Sequence, residues 1–198
     1  PSSFNELMEV MKGFIGFAIC FAILVWVWHA HHTFFRRYSL TDEYTIFLNT
    51  VLLFLVLFYT YPMKFMFAVI TRNPRSIYGH ADELFVIYGL GFAGIFAVFV
   101  LMYRHAWKKR DELELNEYER HDTVTLRIMY TTYVGIGLLS TLMAVTLSGP
   151  WVGLAGWVYW LIGPVSGYIG WRRGVQRRRL GQAVIETMPV PAEADAGA

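Results

Sequence analysis

Charged residues and cysteines are scarce in this sequence, and each shortage excludes a class of protein. Charged residues make up 16% of the 198 positions, against about 25% in an ordinary soluble domain. Hydrophobic residues make up 56%, and the mean hydropathy is +0.40. A soluble globule of this size has too little interior to bury so many apolar side chains. The composition therefore predicts an integral membrane protein whose main partner is the lipid bilayer.

The single cysteine and the lack of carboxylates at membrane depth exclude further functions. Cys20 has no second cysteine with which to form an intrachain disulfide or a Cys-x-x-Cys motif. The centres of the apolar segments contain no Asp or Glu, which a proton-coupled transporter would normally need. No pattern typical of an enzyme, of nucleic-acid binding or of a soluble small-molecule substrate stands out, so we predict none of these.

Five segments are long and apolar enough to cross a bilayer as α-helices, because a span needs about 20 mostly apolar residues. They predict an all-α fold, a polytopic membrane helix bundle with five transmembrane helices. The predicted spans are residues 11–35, 44–70, 84–103, 123–147 and 151–171.

Basic residues are distributed unevenly over the segments that connect these spans. Of the 17 Lys and Arg residues, thirteen lie within 36–37, 104–127 and 172–179, on one side of the membrane, and four lie on the other side. The positive-inside rule predicts that the richer side is cytoplasmic, in what we expect to be a bacterial plasma membrane. The C-terminus is then cytoplasmic and Pro1 lies outside, so one further helix upstream would bring both termini to the cytoplasm.

The chain is expected to form one membrane domain over residues 1–180, followed by a cytoplasmic tail at 181–198. The tail has no periodic apolar face, and we predict that it is disordered. Within the domain, a charged cytosolic linker covers about residues 104–122. Opposite charges recur there four residues apart, in Lys108–Glu112 and Arg110–Glu114, so we expect the linker to extend a helix.

Prolines and glycines predict two local features of the spans. Pro62 and Pro164 should each kink their helix, because proline lacks the amide donor of the helical hydrogen bond. Gly163, Gly167 and Gly170 fall on one face of the last span. This spacing favours close packing against another helix.

Three histidines at the end of the first span, His29, His31 and His32, admit more than one interpretation. A metal or haem site is one of them, since histidine is a common ligand. Their spacing suits a metal poorly, however, and the second, fourth and fifth spans contain no histidine. An interfacial belt of Trp, His and Arg is the other interpretation, because such belts are common where helices leave the bilayer.

A series of motifs in chain order resembles the bacterial form of the transmembrane-protein-175 potassium channel family. The motifs are Trp28-x-x-His31-His32-x-x-Phe35, Leu48-Asn49, Tyr61-Pro62, Tyr103-Arg104-His105-Ala106 and Gly163-Pro164. The resemblance covers about residues 4–174. Subunits of that family have six helices, and the first lines the pore and carries an Arg-x-x-x-Phe-Ser-Asp signature. Nothing here matches that signature, so the five spans would be the second to sixth helices of the family.

The resemblance implies a potassium-selective channel, a homotetramer in which potassium is the permeant ion and no cofactor is bound. It also implies that Trp28, His31 and Asn49 anchor the pore helix through hydrogen bonds to its Phe-Ser-Asp residues. Two other functions stay open. One is a non-conducting accessory or degenerate member of the same family, and the other is a membrane enzyme or redox protein that uses the histidines.

Overall fold

The computed structural model describes residues 4–72, 81–147 and 149–187, and the regular elements in that part of the chain are all helices. The first four are α1 at Phe4–Tyr38, α2 at Glu43–Arg72, α3 at Ala81–Lys108 and α4 at Glu117–Thr146. A 3₁₀ helix at Gly149–Gly153, α5 at Leu154–Trp157, a second 3₁₀ helix at Val158–Leu161 and α6 at Ile162–Thr187 complete the order.

The predicted membrane helix bundle is confirmed. Four stretches of the described residues are long and apolar enough to cross a membrane, namely Glu43–Tyr61, Asp82–Lys108, Glu117–Thr146 and Trp151–Arg178. The remaining predicted span corresponds to α1, a single helix of 35 residues. Most side chains before Cys20 lie outside the described part of the structure.

Helix α3 lies at the centre of the bundle, and its aromatic side chains form the middle of the core. Phe99 and Tyr103 are fully buried, and Phe34 from α1, Leu52 from α2 and Tyr130 from α4 pack around them. The ring centroids of Phe34 and Tyr103 are 5.2 Å apart at 70°, and those of Tyr103 and Tyr130 are 5.4 Å apart at 50°. Edge-on and tilted pairs of this kind each stabilise the fold by about 0.5–1.5 kcal/mol more than burial of the two rings alone. Such packing matters here because lipid supplies no hydrophobic force between helices.

Helices α3 and α4 approach each other closely where Gly89 faces Gly137. A Cβ atom on Gly89 would lie 2.8 Å from the backbone oxygen of Gly137, and one on Gly137 would lie 2.9 Å from that of Gly89. The glycines that we expected to pack behave differently, since a Cβ atom on Gly163, Gly167 or Gly170 would meet nothing within 4 Å. No packing partner for these glycines lies among the described residues, and their packing role stays a prediction.

The last predicted span is segmented rather than one continuous α-helix. The 3₁₀ stretch Val158–Leu161 directly precedes α6, and Pro164 lies in the first turn of α6. Proline cannot donate to the carbonyl four residues earlier, here that of Trp160, so the regular helix is interrupted in the turn before it. Helix α2 continues through position 62. The surroundings of Pro62 lie outside the described side chains, and a kink there stays a prediction.

The first residues of the expected tail belong to helix α6. Helix α6 continues to Thr187, so residues 181–187 are helical rather than disordered. The end of this helix is rich in Arg, Leu, Gln and Ala, which favour helical backbone without help from an apolar face. Residues 188–198 of the expected tail lie outside the described part of the chain.

The charged linker turns back instead of extending a helix. Helix α3 ends at Lys108, turns follow, and Glu114 adopts a φ of 50°. Asn116 then caps α4 by accepting the amide of Glu119 at 2.9 Å, and the Glu119 carboxylate accepts the amide of Asn116 at 3.0 Å. This reciprocal pair is a capping box, which defines where the next helix begins.

Burial of one leucine explains why the helical extension does not form. Leu115 is buried in the core with only 6% of its surface exposed, and a straight continuation of α3 would leave it in water. The expected pairs four residues apart are replaced by Lys109–Glu112 at 3.3 Å and Asp111–Arg120 at 2.7 Å. The expectation of a helical linker was therefore wrong, because apolar burial outweighs exposed ion pairs of about 0.2–0.5 kcal/mol each.

Candidate functional site

Two of the three residues expected to anchor another helix lie together between α1 and α2. His31 donates from Nε2 to Oδ1 of Asn49 at 2.8 Å, and both side chains are half-buried. The neighbouring Phe34 on α1 and Leu48 on α2 are buried and hold the two helices together on the core side. The ring of Phe35 packs on His31 with centroids 4.7 Å apart. The pair therefore lies at the partly exposed edge of the helix interface.

The third residue, Trp28, lies apart from this pair. Its ring is 61% exposed and stacks on His32, with centroids 5.4 Å apart and an interplanar angle of 14°. His32 is also exposed. The structure thus places Trp28 with His32, and His31 with Asn49, on the same side of α1 but in separate contacts.

Exposed residues on α1 follow a regular spacing that leads up to this site. Alternating steps of four and three residues separate them, which is the spacing of a helix seam that packs against another helix. Ala22, Trp26 and His29 are also exposed but lie outside this spacing, which is followed by Phe14, Ala18, Phe21, Val25, Trp28 and His32. This surface, the α1 stripe, lies beside the His31–Asn49 pair along the helix.

The histidines do not converge on a metal. Among the described residues, no group of three or more His, Cys, Asp or Glu side chains is placed to hold a metal ion. His29 is exposed on α1, and the hydrogen bond of His31 goes to an amide oxygen. The arrangement instead offers polar groups on an apolar helix face, which can hydrogen-bond a helix that packs there.

Polar contacts join the C-terminal end of α1, the N-terminal part of α4 and the middle of α6 at one end of the bundle, here called the charged end. Asp122 lies 3.4 Å from Arg37 of α1 and 3.4 Å from Arg177 of α6. Arg173 of α6 donates to the hydroxyl of Thr125 at 3.0 Å. These contacts place the three basic regions that sequence analysis assigned to one side of the membrane at one end of the structure.

A buried hydroxyl pair reinforces this end. The Tyr38 hydroxyl and Thr123 Oγ1 are 2.6 Å apart, and both side chains are buried. Thr123 Oγ1 also donates to the backbone oxygen of Glu119, 2.6 Å away, so the Tyr38 hydroxyl donates to Thr123. The last turn of α1 is thereby fixed to the second turn of α4, because buried polar groups are costly to leave unpaired.

Asp42 forms a second centre at the charged end, between α2 and α3. Its carboxylate accepts the Thr45 hydroxyl at 2.9 Å and the Thr45 amide at 3.4 Å, as a residue that caps a helix N-terminus does. His105 of α3 donates to the same carboxylate at 2.9 Å, and Lys109 Nζ lies 4.0 Å away. Burial raises the pKa of the Asp42 carboxyl, but the hydrogen bonds from Thr45 and the charge of His105 outweigh it, and the pKa lies below its ordinary value.

Fold and contacts together define an integral membrane bundle of α-helices with a charged end. Comparison with known proteins gives the family. The family model for the endosomal/lysosomal potassium channel TMEM175 matches residues 1–59. A relative from Marivirga tractuosa, described as a potassium channel, is 36% identical over 200 residues, which cover 91% of this chain and 80% of the relative.

A second relative and a solved structure extend the match. A potassium channel of Chamaesiphon minutus is 24% identical over 151 residues, which cover 75% of this chain and 68% of the relative. A crystal structure of a variant of the potassium channel MtTMEM175, in complex with a Nanobody-MBP fusion protein, superposes with a TM-score of 0.75. It is 34% identical and covers 86% of this chain and 81% of that one. The chain belongs to the TMEM175 family, a family of ion channels rather than enzymes.

Sequence reasoning missed the residues that organise the charged end. Asp42 and Asp122 each gather partners from other helices, with His105 among the partners of Asp42 and Arg37 among those of Asp122. One local signal was present, because an aspartate immediately before an apolar helical run is typical of an N-cap. Nothing in the spacing along the chain indicated which distant cation would reach it.

Proposed function

We propose that this chain is a subunit of a potassium channel in which potassium is the permeant ion and no cofactor is needed. The observation that carries the proposal is that the chain shares its fold with a protein described as a potassium channel. The two superpose with a TM-score of 0.75, and the match covers 86% of this chain. The potassium channel of Marivirga tractuosa, 36% identical over nearly the whole chain, supports the same function.

The α1 stripe and the His31–Asn49 pair suit the role of receiving a pore-forming helix. The stripe is exposed and apolar at seam spacing, and the pair beside it offers hydrogen-bonding groups half-buried at the same face. A helix with buried polar side chains needs such partners, because unsatisfied polar groups in lipid are expensive. Trp28 belongs to this surface through the stripe, with His32 stacked on it.

We propose a homotetramer with the charged end in the cytoplasm of a bacterial cell. Ion channels commonly form their pore on the axis between identical subunits, and exposed apolar faces on α1 and α2 offer surface for such contacts. The position of the C-terminus on the cytoplasmic side rests on the positive-inside rule. Ion pairs such as Arg37–Asp122–Arg177 support it, because they gather the basic regions at the end where α6 leaves the bundle.

Ion flux into liposomes tests the function directly. The protein purified from its own membrane is reconstituted, and potassium and sodium gradients of equal size are compared. We expect potassium flux well above sodium flux. His31→Ala should reduce it, whereas His29→Ala should not, because His29 is exposed on another face of the same turn. Absence of potassium flux from correctly oriented, folded protein would overturn the proposal and favour the non-conducting accessory role.

Two measurements address the remaining parts of the proposal. Native mass spectrometry should show four copies of the subunit, and any other stoichiometry contradicts the tetramer. The further helix expected upstream concerns residues outside this sequence and stays a prediction, which the intact mass of the native protein would test.

A further inference from the structure

A pocket at the charged end adjoins the contact between Asp42 and His105. It has a volume of about 340 Å³ and is lined by Tyr44, Leu101, Arg104, His105 and Lys108. Four of these positions, 101, 104, 105 and 108, are separated by three, four and seven residues and form one face of the last two turns of α3. Tyr44 in the first turn of α2 closes the other side, with its ring 4.8 Å from that of His105.

The pocket carries two positive charges that no described residue neutralises through an ion pair. Arg104 and Lys108 are exposed, and neither has an ion pair among the described residues. Their neighbours at the charged end differ, since Lys109 lies beside Glu112 and Arg37 beside Asp122. The pocket therefore presents unbalanced positive charge toward its opening.

The Asp42 carboxylate, which contacts the pocket residue His105, does not pair with Arg104 or Lys108. Asp42 accepts the Thr45 hydroxyl of α2 at 2.9 Å and His105 Nε2 of α3 at 2.9 Å, and its ion-pair contacts among the described residues go to His105 and Lys109 rather than to Arg104 or Lys108. The same hydrogen bond orients the His105 ring within the pocket wall. Arg104 and Lys108 are left as the groups available to an incoming anion.

Polar and apolar surfaces meet at this pocket. Leu101 and Tyr44 are 37% and 45% exposed, and Ile46 and Phe47 beyond Tyr44 are 57% and 61% exposed. Exposed apolar side chains on a membrane helix face acyl chains, and tyrosine is typical of the level of the lipid headgroups. An occupant must therefore be anionic at Arg104 and Lys108 and apolar toward Leu101, which describes a phospholipid better than a free anion.

We propose that this pocket binds the phosphate headgroup of an anionic phospholipid, with Arg104 and Lys108 as the charge contacts. Tyr44 and Leu101 lie against the start of the acyl chains. Basic pockets between membrane helices are suited to such headgroups. The proposal rests on the placement of the charged end at the membrane surface and not on conduction, because lipid binding is measured without ion flux.

Lipid binding to the purified, full-length protein tests the proposal. The probes are phosphatidylglycerol, phosphatidylcholine and inorganic phosphate, titrated into detergent-solubilised protein and counted as retained adducts by native mass spectrometry. The test variant is Arg104→Gln/Lys108→Gln. The matched control is Arg172→Gln/Arg178→Gln, which removes the same charge from two exposed arginines of α6 that have no described ion pair.

We expect phosphatidylglycerol to be retained over phosphatidylcholine. A basic residue near anionic lipid contributes about fivefold in affinity, so the test variant should bind phosphatidylglycerol about 25-fold more weakly, and Lys108→Gln alone about fivefold. The control should stay within about twofold of the native protein. The single variant keeps the test valid if the double variant does not fold.

Three results would overturn the proposal. Equal retention of both lipids would show that the pocket does not select charge. Equal loss in the test and control variants would show that only net charge matters. Displacement of phosphatidylglycerol by inorganic phosphate at equal concentration would identify a site for free anions instead of a lipid site.

Discussion

The contact between His31 and Asn49 leads to a prediction that separates stability from function. We consider His31→Phe, Asn49→Leu and the double variant, since phenylalanine preserves the ring packing on Phe35 and leucine approximates the shape of the amide. Each single change leaves one half-buried polar group without the partner that now lies at 2.8 Å. We expect each to lower the free energy of unfolding by about 1 kcal/mol, the lower end of the cost of an unpaired buried group.

The double variant should lose less than the two single variants together. Replacing both partners by apolar groups removes the hydrogen bond but leaves no unpaired group, which can be nearly neutral. Coupling energies between polar pairs in membrane helices average about 0.6 kcal/mol and reach about 1.7 kcal/mol. For a hydrogen bond of 2.8 Å at a half-buried interface, we expect a coupling between about 0.6 and 1 kcal/mol.

The assay is denaturant unfolding in mild detergent, combined with potassium flux in liposomes. His29→Phe and Thr50→Val provide the control cycle, because His29 is exposed and the Thr50 hydroxyl donates to Ile46 of its own helix at 3.0 Å. Their effects should add without coupling. If the double variant at His31 and Asn49 is as unstable as the sum of the singles, the hydrogen bond does not contribute. If it is stable and retains full flux, the pair has no role in receiving another helix.

Two further predictions concern helix packing and pH. Gly89→Ala should cost about 1–3 kcal/mol of unfolding free energy, since its Cβ would lie 2.8 Å from the backbone oxygen of Gly137. The control is Gly135→Ala, where a Cβ atom would meet nothing within 4 Å, and it should be neutral or stabilising by up to about 1 kcal/mol. Equal losses of thermal stability in the Gly89 and Gly135 variants would contradict this account. Asp42 has a lowered pKa in the folded state, so the stability that its charge contributes is present above the ordinary carboxyl range and is lost as pH falls through that lowered pKa. Asp42→Asn, which keeps a capping side chain, should weaken the loss of stability at acidic pH. If the variant loses as much stability at acidic pH as the native protein does, Asp42 does not contribute to the pH dependence.

The fold class and most helix positions could be predicted from the sequence because they depend on local composition. A run of about 20 apolar residues must be helical in lipid, where every backbone donor and acceptor needs an internal partner. Order and spacing of short motifs also sufficed to indicate the family, since Trp28, His31 and Asn49 fall at the expected intervals along the first two spans. The hydrogen bond between His31 and Asn49 was not among these predictions, because the resemblance assigned both residues to contacts with the pore helix.

Tertiary structure alone decided which distant groups meet. How α1, α3, α4 and α6 are rotated against one another determines three features. These are the close approach of Gly89 and Gly137, the partners of Asp122, and the turn of the linker that buries Leu115. The rotation of each helix about its axis depends on ring packing in the core and on hydrogen bonds to polar groups at helix ends. Both depend on many residues that are far apart in the chain. Local periodicity specifies where a helix begins and which residues share its face, but not which face of the next helix it will meet.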